Sequence, residues 1–422
     1  MPRIPYVIGI FCTLAAAALA DWPQFLGPDR NGISPETTKL ATSWPAGGPK
    51  VLWTAKVGAG FGGPAIAGDE VFILDREINR QDVLRCLGLA DGNELWRYAY
   101  DAAGTAEHDG SRSTPTVDEK HVFTVGFSGL FHCIDRKTHQ PLWKKDLLKD
   151  FDAKLPRWAV AQSPLLYKDL VIVVPAGRKA GIVACKRDSG DIAWQSEPCG
   201  EMAYMSAMPM KIDGVEQIVG YGNEGRSAAG KAEKTVVLSV DANSGKTLWR
   251  FDQWVCDVAI PSPVHVGEGK VFLTGGYGAG SVMIQVKKQA QDWSAQRLWR
   301  LTRQECGSQI HDPLLWKGFL YVDNNENGKN NGMVCVGLDG KVAWSSRSPN
   351  CEKGGQILAD GMIYKVDGNR GNLYLIEPTS ESFKVVSQAK LLDPGQDWAP
   401  LAISEGKLII RDQGQMKCLD VK

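Results

Sequence analysis

Apolar and polar positions alternate along this chain in short blocks. A run of four or five apolar residues is closed by a polar turn and answered by a second run that carries a tryptophan. Val83–Leu87, Ile182–Cys185, Val236–Val240 and Met333–Val336 are such runs, and behind them stand Gly92/Trp96, Gly190/Trp194, Gly245/Trp249 and Gly340/Trp344, each spelled Gly-x-x-x-Trp. Continuous apolar runs of this length between turn residues predict buried strands, and the pair predicts a hairpin with Trp on its second strand. Asp91, Asp188, Asp241 and Asp339 stand before or near each Gly. Their carboxylates can bond the turn backbone, and Gly tolerates the positive φ the reversal needs.

Weaker copies extend the series. Cys133 to Trp143 has His139 where Gly is expected, a lengthened copy ends at Trp299, and Tyr374–Glu377 to Val386 has lost its Trp. That makes seven. An eighth is divided between the chain ends: Lys407–Ile410 and Gln415–Asp420 lack a Trp strand, while Val51–Val57 carries Trp53 with no hairpin before it. Units that cannot bury their own apolar faces must stack. Eight of them over residues 51–422, at about 46 residues each, predict an eight-bladed β-propeller of four-stranded antiparallel blades, closed by pairing of the N- and C-terminal strands so that no edge is left open.

Residues 1–20 read as a cleavable signal peptide: Met1-Pro2-Arg3, an apolar stretch from Ile4 to Ala18, and the small-x-small ending Ala18-Leu19-Ala20. The domains are therefore the leader, an N-terminal extension over 21–50, and the propeller over 51–422, in a periplasmic or secreted protein. With Asp21 at the cut there is no cysteine for lipid attachment. Basic and acidic residues balance at 48 each, and no Lys/Arg run exceeds two residues, which argues against nucleic acid as partner. Past the leader no apolar run is long enough for a transmembrane segment. Nine cysteines remain after the leader. Cys86, Cys133, Cys185, Cys335 and Cys418 share one strand of five blades and should be unable to bridge, whereas Cys199, Cys256, Cys306 and Cys351 lie in connections between blades and leave a disulfide or two open.

The stretches Cys86–Trp96 and Val240–Trp249 resemble the PQQ-like β-propeller repeat family, and the likeness runs over nearly all of 51–422. The opening Asp21–Gly32 is similar to the start of secreted propellers of this family in planctomycete and verrucomicrobial bacteria, some of which carry names such as polyvinyl-alcohol dehydrogenase or BamB-like protein. The resemblance implies two kinds of activity. One is a non-catalytic binding or scaffold module of the cell envelope, with a protein or polymer held at one face and no cofactor. The other is a PQQ- and Ca²⁺-dependent alcohol dehydrogenase, with Trp158 or Trp398 as a floor for the quinone and Asp109, Asp257 or Asp312 as ligand or base. The adjacent Cys-Cys pair of the larger quinoprotein dehydrogenases is missing here, as is a Cys-x-x-Cys-His haem site, which favours the binding module.

Recurrent prolines, at 64, 115, 164, 209, 263, 313 and 400, mark the entries to the innermost strands and hence one mouth of the channel. Just before them lie the candidate ligand-binding residues Arg112, Arg157, Trp158, Gln162, Tyr204, Asp257, His311, Asp312 and Trp398. No catalytic or metal-binding residue is assigned. Asp323–Gly328 matches the first half of a calcium loop, but Val334 stands where the closing Glu belongs, so a hairpin turn is expected.

Overall fold

The computed structural model describes residues 21–77, 80–102, 104–349 and 351–422, so the proposed leader lies outside the described residues. Eight sheets of antiparallel strands follow one another around a ring. Blade 1 runs from its innermost strand Ala65–Ala67 through Glu70–Arg76 and Gln81–Gly88 to the outer Glu94–Asp101, and six further blades repeat that inside-to-outside order. The fourth adds a short strand, Glu201–Met202, beside its second. The sole helix among the described residues is the five-residue Leu147–Phe151.

Ring closure takes the expected form. Lys50–Lys56 pairs with Gln415–Asp420 and becomes the outer strand of the last blade, whose inner strands are Ala402–Ser404 and Lys407–Arg411. Both ends of the propeller therefore lie in one sheet, and neither can detach without breaking it.

The Gly-x-x-x-Trp unit joins neighbouring blades. The rings of Trp53, Trp143, Trp194 and Trp299 lie against Gly92, Gly190, Gly245 and Gly340 of the following blades, where a Cβ would come within 2.5–2.9 Å of indole carbons. Glycine is needed there twice, for its positive φ and for the ring that covers it. His139 takes the Gly position of blade 2 with φ 60° and meets Trp96 by stacking instead, with centroids 4.5 Å apart and planes 11° apart. Asp91, Asp241 and Asp339 bond the turn amides as expected. Asp188 does not: its carboxylate faces His121 of the neighbouring blade, and Ser189 caps that turn by accepting from the amide of Asp191. Blade 7 has Val386 for Trp because the next turn does not exist, being the gap between the chain ends. There Trp44 of the extension packs against Tyr364, its amide bonded to Ser387 Oγ.

All nine described cysteines are free and buried. The four loop cysteines follow the outer strands at a nearly constant interval, so each sits one blade from the next and none meets another. The possible disulfides among them are not formed. Asp323–Gly328 is the expected hairpin, between strands Phe319–Glu326 and Lys329–Gly337.

The extension plugs the channel. Trp22 bridges Ile66 of blade 1, Pro23 O accepts from Val117 of blade 2, and Ile33 bridges Leu358 of blade 7, so residues 22–33 cross between innermost strands. Arg30, fully buried, donates to the carbonyls of Pro164 and Ser163 and to Gln24 Oε1. Burial pulls its pKa down to about 9, an effect opposed by the charge of Asp312.

Candidate functional site

Each blade sends two segments to the channel mouth opposite the plug: the connection into its innermost strand and the hairpin between its second and third strands. Together they shape a cup of about 450 Å³, within the usual size of small-ligand sites. Phe25 of the plug reaches it from below. Two aromatic walls rise from the rim. On one side Trp158 stacks with Tyr277 at 6.0 Å and leans on Tyr204 at 5.8 Å. On the other Phe61 stacks with Trp398 at 5.5 Å, and His108 stands edge-on to both.

A chain of polar side chains links these walls. Gln309 and Asn327 donate to the Tyr277 hydroxyl, Asn327 Oδ1 accepts from Lys353, Lys353 pairs with Glu352 at 3.3 Å, and Glu352 accepts from Asn369. Groups tied to one another in this way are held in place before a ligand arrives.

Most charges at the rim are matched. Glu107 faces Arg157 at 3.5 Å and the Trp158 indole N–H at 3.4 Å. Arg112 differs. Its guanidinium lies over Phe61 and donates to the carbonyls of Gly110 and His108, with no carboxylate at ion-pair distance among the described residues. Burial lowers its pKa to about 10, so it stays charged at neutral pH.

Beneath the rim, His311 is buried with Nε2 against the carbonyl of Lys353, and desolvation holds its pKa down to about 3, leaving it neutral. Asp312 accepts from the Ser262 amide at 2.5 Å, and burial pushes its pKa up to about 7. Asp397 is 1% exposed, neither of its oxygens has a hydrogen-bond partner among the described residues, and burial together with Asp412, Asp367 and Asp393 raises its pKa to about 7 as well.

Of the nine candidates, Arg112, Trp158, Tyr204, His311, Asp312 and Trp398 line the cup. Arg157 stands beside it with its guanidinium 5.0 Å from the Trp158 ring centroid. Gln162 and Asp257 lie elsewhere. Gln162 is buried and bonds both backbone groups of Val174, while Asp257 pairs with Arg226 and caps the amide of Ala232. Sequence reasoning missed Phe25, Phe61, Tyr277 and Lys353. The proline rule could have found Phe61, which precedes Pro64, but Tyr277 comes from a second-to-third-strand hairpin and Phe25 from the plug, and neither carries a repeat mark. Among the described residues no three His, Cys, Asp or Glu side chains are placed to hold a metal ion together.

Residues 79–328 match the family model described as outer membrane protein assembly factor BamB. No curated protein sequence matches the chain. Among solved structures, a europium-containing methanol dehydrogenase superposes with a TM-score of 0.65 at 13% identity, over 94% of this chain and 90% of that one. The quinohemoprotein alcohol dehydrogenase from Comamonas testosteroni gives 0.64 at 12% over 95% and 80%, and BamB from Moraxella catarrhalis 0.60 at 12% over 88% and 99%. At such identities the likeness is one of fold.

Proposed function

The chain belongs to the β-propeller family described as outer membrane protein assembly factor BamB, and from that premise we propose that it is an exported, non-catalytic binding module of the cell envelope that holds a protein or polymer at the cup. One observation supports this reading: the glutamates that line the cup are engaged by neighbouring side chains. Glu107 is bound to Arg157 and Trp158, and Glu352 to Lys353 and Asn369. A general base needs a free lone pair within hydrogen-bond reach of its substrate. Among the described residues no helix is long and apolar enough to cross a membrane.

The second reading, a PQQ- and Ca²⁺-dependent dehydrogenase, draws support from the aromatic walls, which could hold a planar ring, and from the fold shared with methanol dehydrogenase. The donor set does not fit it. The cup's carboxylates are paired with cations or buried against amides, and among the described residues no acidic cluster is placed to hold Ca²⁺. Calorimetric titration of the mature chain with PQQ and Ca²⁺, run beside a dye-linked alcohol oxidation assay, separates the readings. No stoichiometric uptake and no turnover are expected; tight PQQ binding with Ca²⁺-dependent turnover would reverse the order.

A further inference from the structure

The cup's chemistry narrows its occupant. We propose that it takes a carboxylated pyranose, a uronate unit of an acidic polysaccharide, with the ring face on the aromatic walls and the carboxylate on Arg112. The inference rests on the binding reading above and adds the ligand's class to it.

Three features of the site converge. The aromatic walls, Trp158 with Tyr277 and Phe61 with Trp398, line one cup, and aromatic rings hold sugar rings by burying C–H surface. Between them the chain of Gln309, Asn327, Lys353, Glu352 and Asn369 presents alternating donors and acceptors, which suits neighbouring hydroxyls better than the bare edge of an aromatic ligand. The amide oxygen of Asn369 and the side chain of Gln396 keep unused hydrogen-bonding capacity at the cup. The third feature is charge. Lys353 and Arg157 have carboxylates at ion-pair distance, whereas among the described residues Arg112 has none and feels Asp109 and Asp82 only from farther off, so the cup holds one partly buried guanidinium without an ion pair. A carboxylate there would be met by a charge-assisted pair, bidentate where the free N–H groups allow. The open mouth lets the rest of a polymer leave into solvent.

The test is calorimetric titration of the mature chain with trigalacturonate, with a neutral trisaccharide of the same linkage, with monomeric galacturonate, and with PQQ. Trigalacturonate should bind at least about tenfold more tightly than the neutral sugar, and that preference should shrink as salt rises. Arg112→Gln should abolish the preference while leaving neutral binding in place, Arg112→Lys should restore part of it, and Trp158→Ala should weaken both sugars about tenfold. Melting curves of the variants check that each is folded. Equal affinity for acidic and neutral sugars, or a preference that survives Arg112→Gln, overturns the proposal. Binding confined to PQQ overturns it and the binding module together, whereas loss of all sugar binding with an envelope protein still captured at the cup removes only the sugar. Equal binding of monomer and trimer supports the chemistry with the free sugar as its source.

Discussion

The two faces of the ring are built on opposite rules. On the turn face the blades repeat one task, receiving the preceding blade's outer strand, and five glycine or histidine turns and their rings carry nearly the same residues around the circle. On the cup face each blade contributes something different: Arg112 from one, Trp158 from the next, Tyr277, Lys353 and Trp398 from others. Repetition marks what holds the ring together, and its loss marks where the molecule can recognise something. The extension connects the two, entering from the turn face and bringing Phe25 to the underside of the cup.

The largest effect expected from breaking this division is on closure. Deleting residues 51–57 removes the outer strand of the last blade and bares an edge along Gln415–Asp420, so the whole domain should lose its cooperative transition in thermal unfolding. A truncated chain that melts like the full one would refute ring closure as a source of stability. Trp249→Ala comes next. The ring is buried and its indole N–H is bonded to Gln217, so about 3–5 kcal/mol should be lost in urea unfolding.

A smaller loss tests the plug. Arg30→Ala leaves the carbonyl of Ser163 unpaired and that of Pro164 with Thr116 alone, at a cost of about 1–3 kcal/mol, and a neutral result would show that this side chain does not hold the plug. Stability should also depend on pH through groups under the cup. Asp397, raised to about 7, binds its proton more tightly folded than unfolded, so its burial costs nothing at acid pH and destabilises progressively as pH climbs from about 4 through 7. His311 has the opposite sign: held down to about 3, it costs stability as pH falls below about 6.5. Asp397→Asn should therefore raise the unfolding midpoint at pH 8 and leave it unchanged at pH 4. A gain of equal size at both would show that the carboxyl's ionisation is not the cause.

How much of this could be read from residues alone follows the same division. The Gly-x-x-x-Trp spacing located the turn face, and Trp53 without a hairpin located closure, because both depend on local backbone geometry and on strand order. Even the failures there are physical. His139 replaces Gly by stacking on Trp96, and Trp is lost at Val386 because the chain ends where a partner turn would be. The cup was half legible. Proline entries brought out Arg112, Trp158, Tyr204 and Trp398, since these loops share a position in the repeat. They also drew in Gln162 and Asp257, which spend their polar groups on Val174 and on Arg226 with Ala232. Tyr277 and Phe25 stayed hidden, because a hairpin tip and a plug obey no repeat.

The most direct test of the division is a paired urea unfolding of Trp194→Ala and Trp158→Ala. Trp194 is 7% exposed and lies against Gly245 of the next blade, and its loss should cost about 3–5 kcal/mol. Trp158 stands at the cup with its indole N–H on Glu107, and its loss should cost less than about 1 kcal/mol. Equal losses at the two positions would contradict a ring held together on one face and left free to bind on the other.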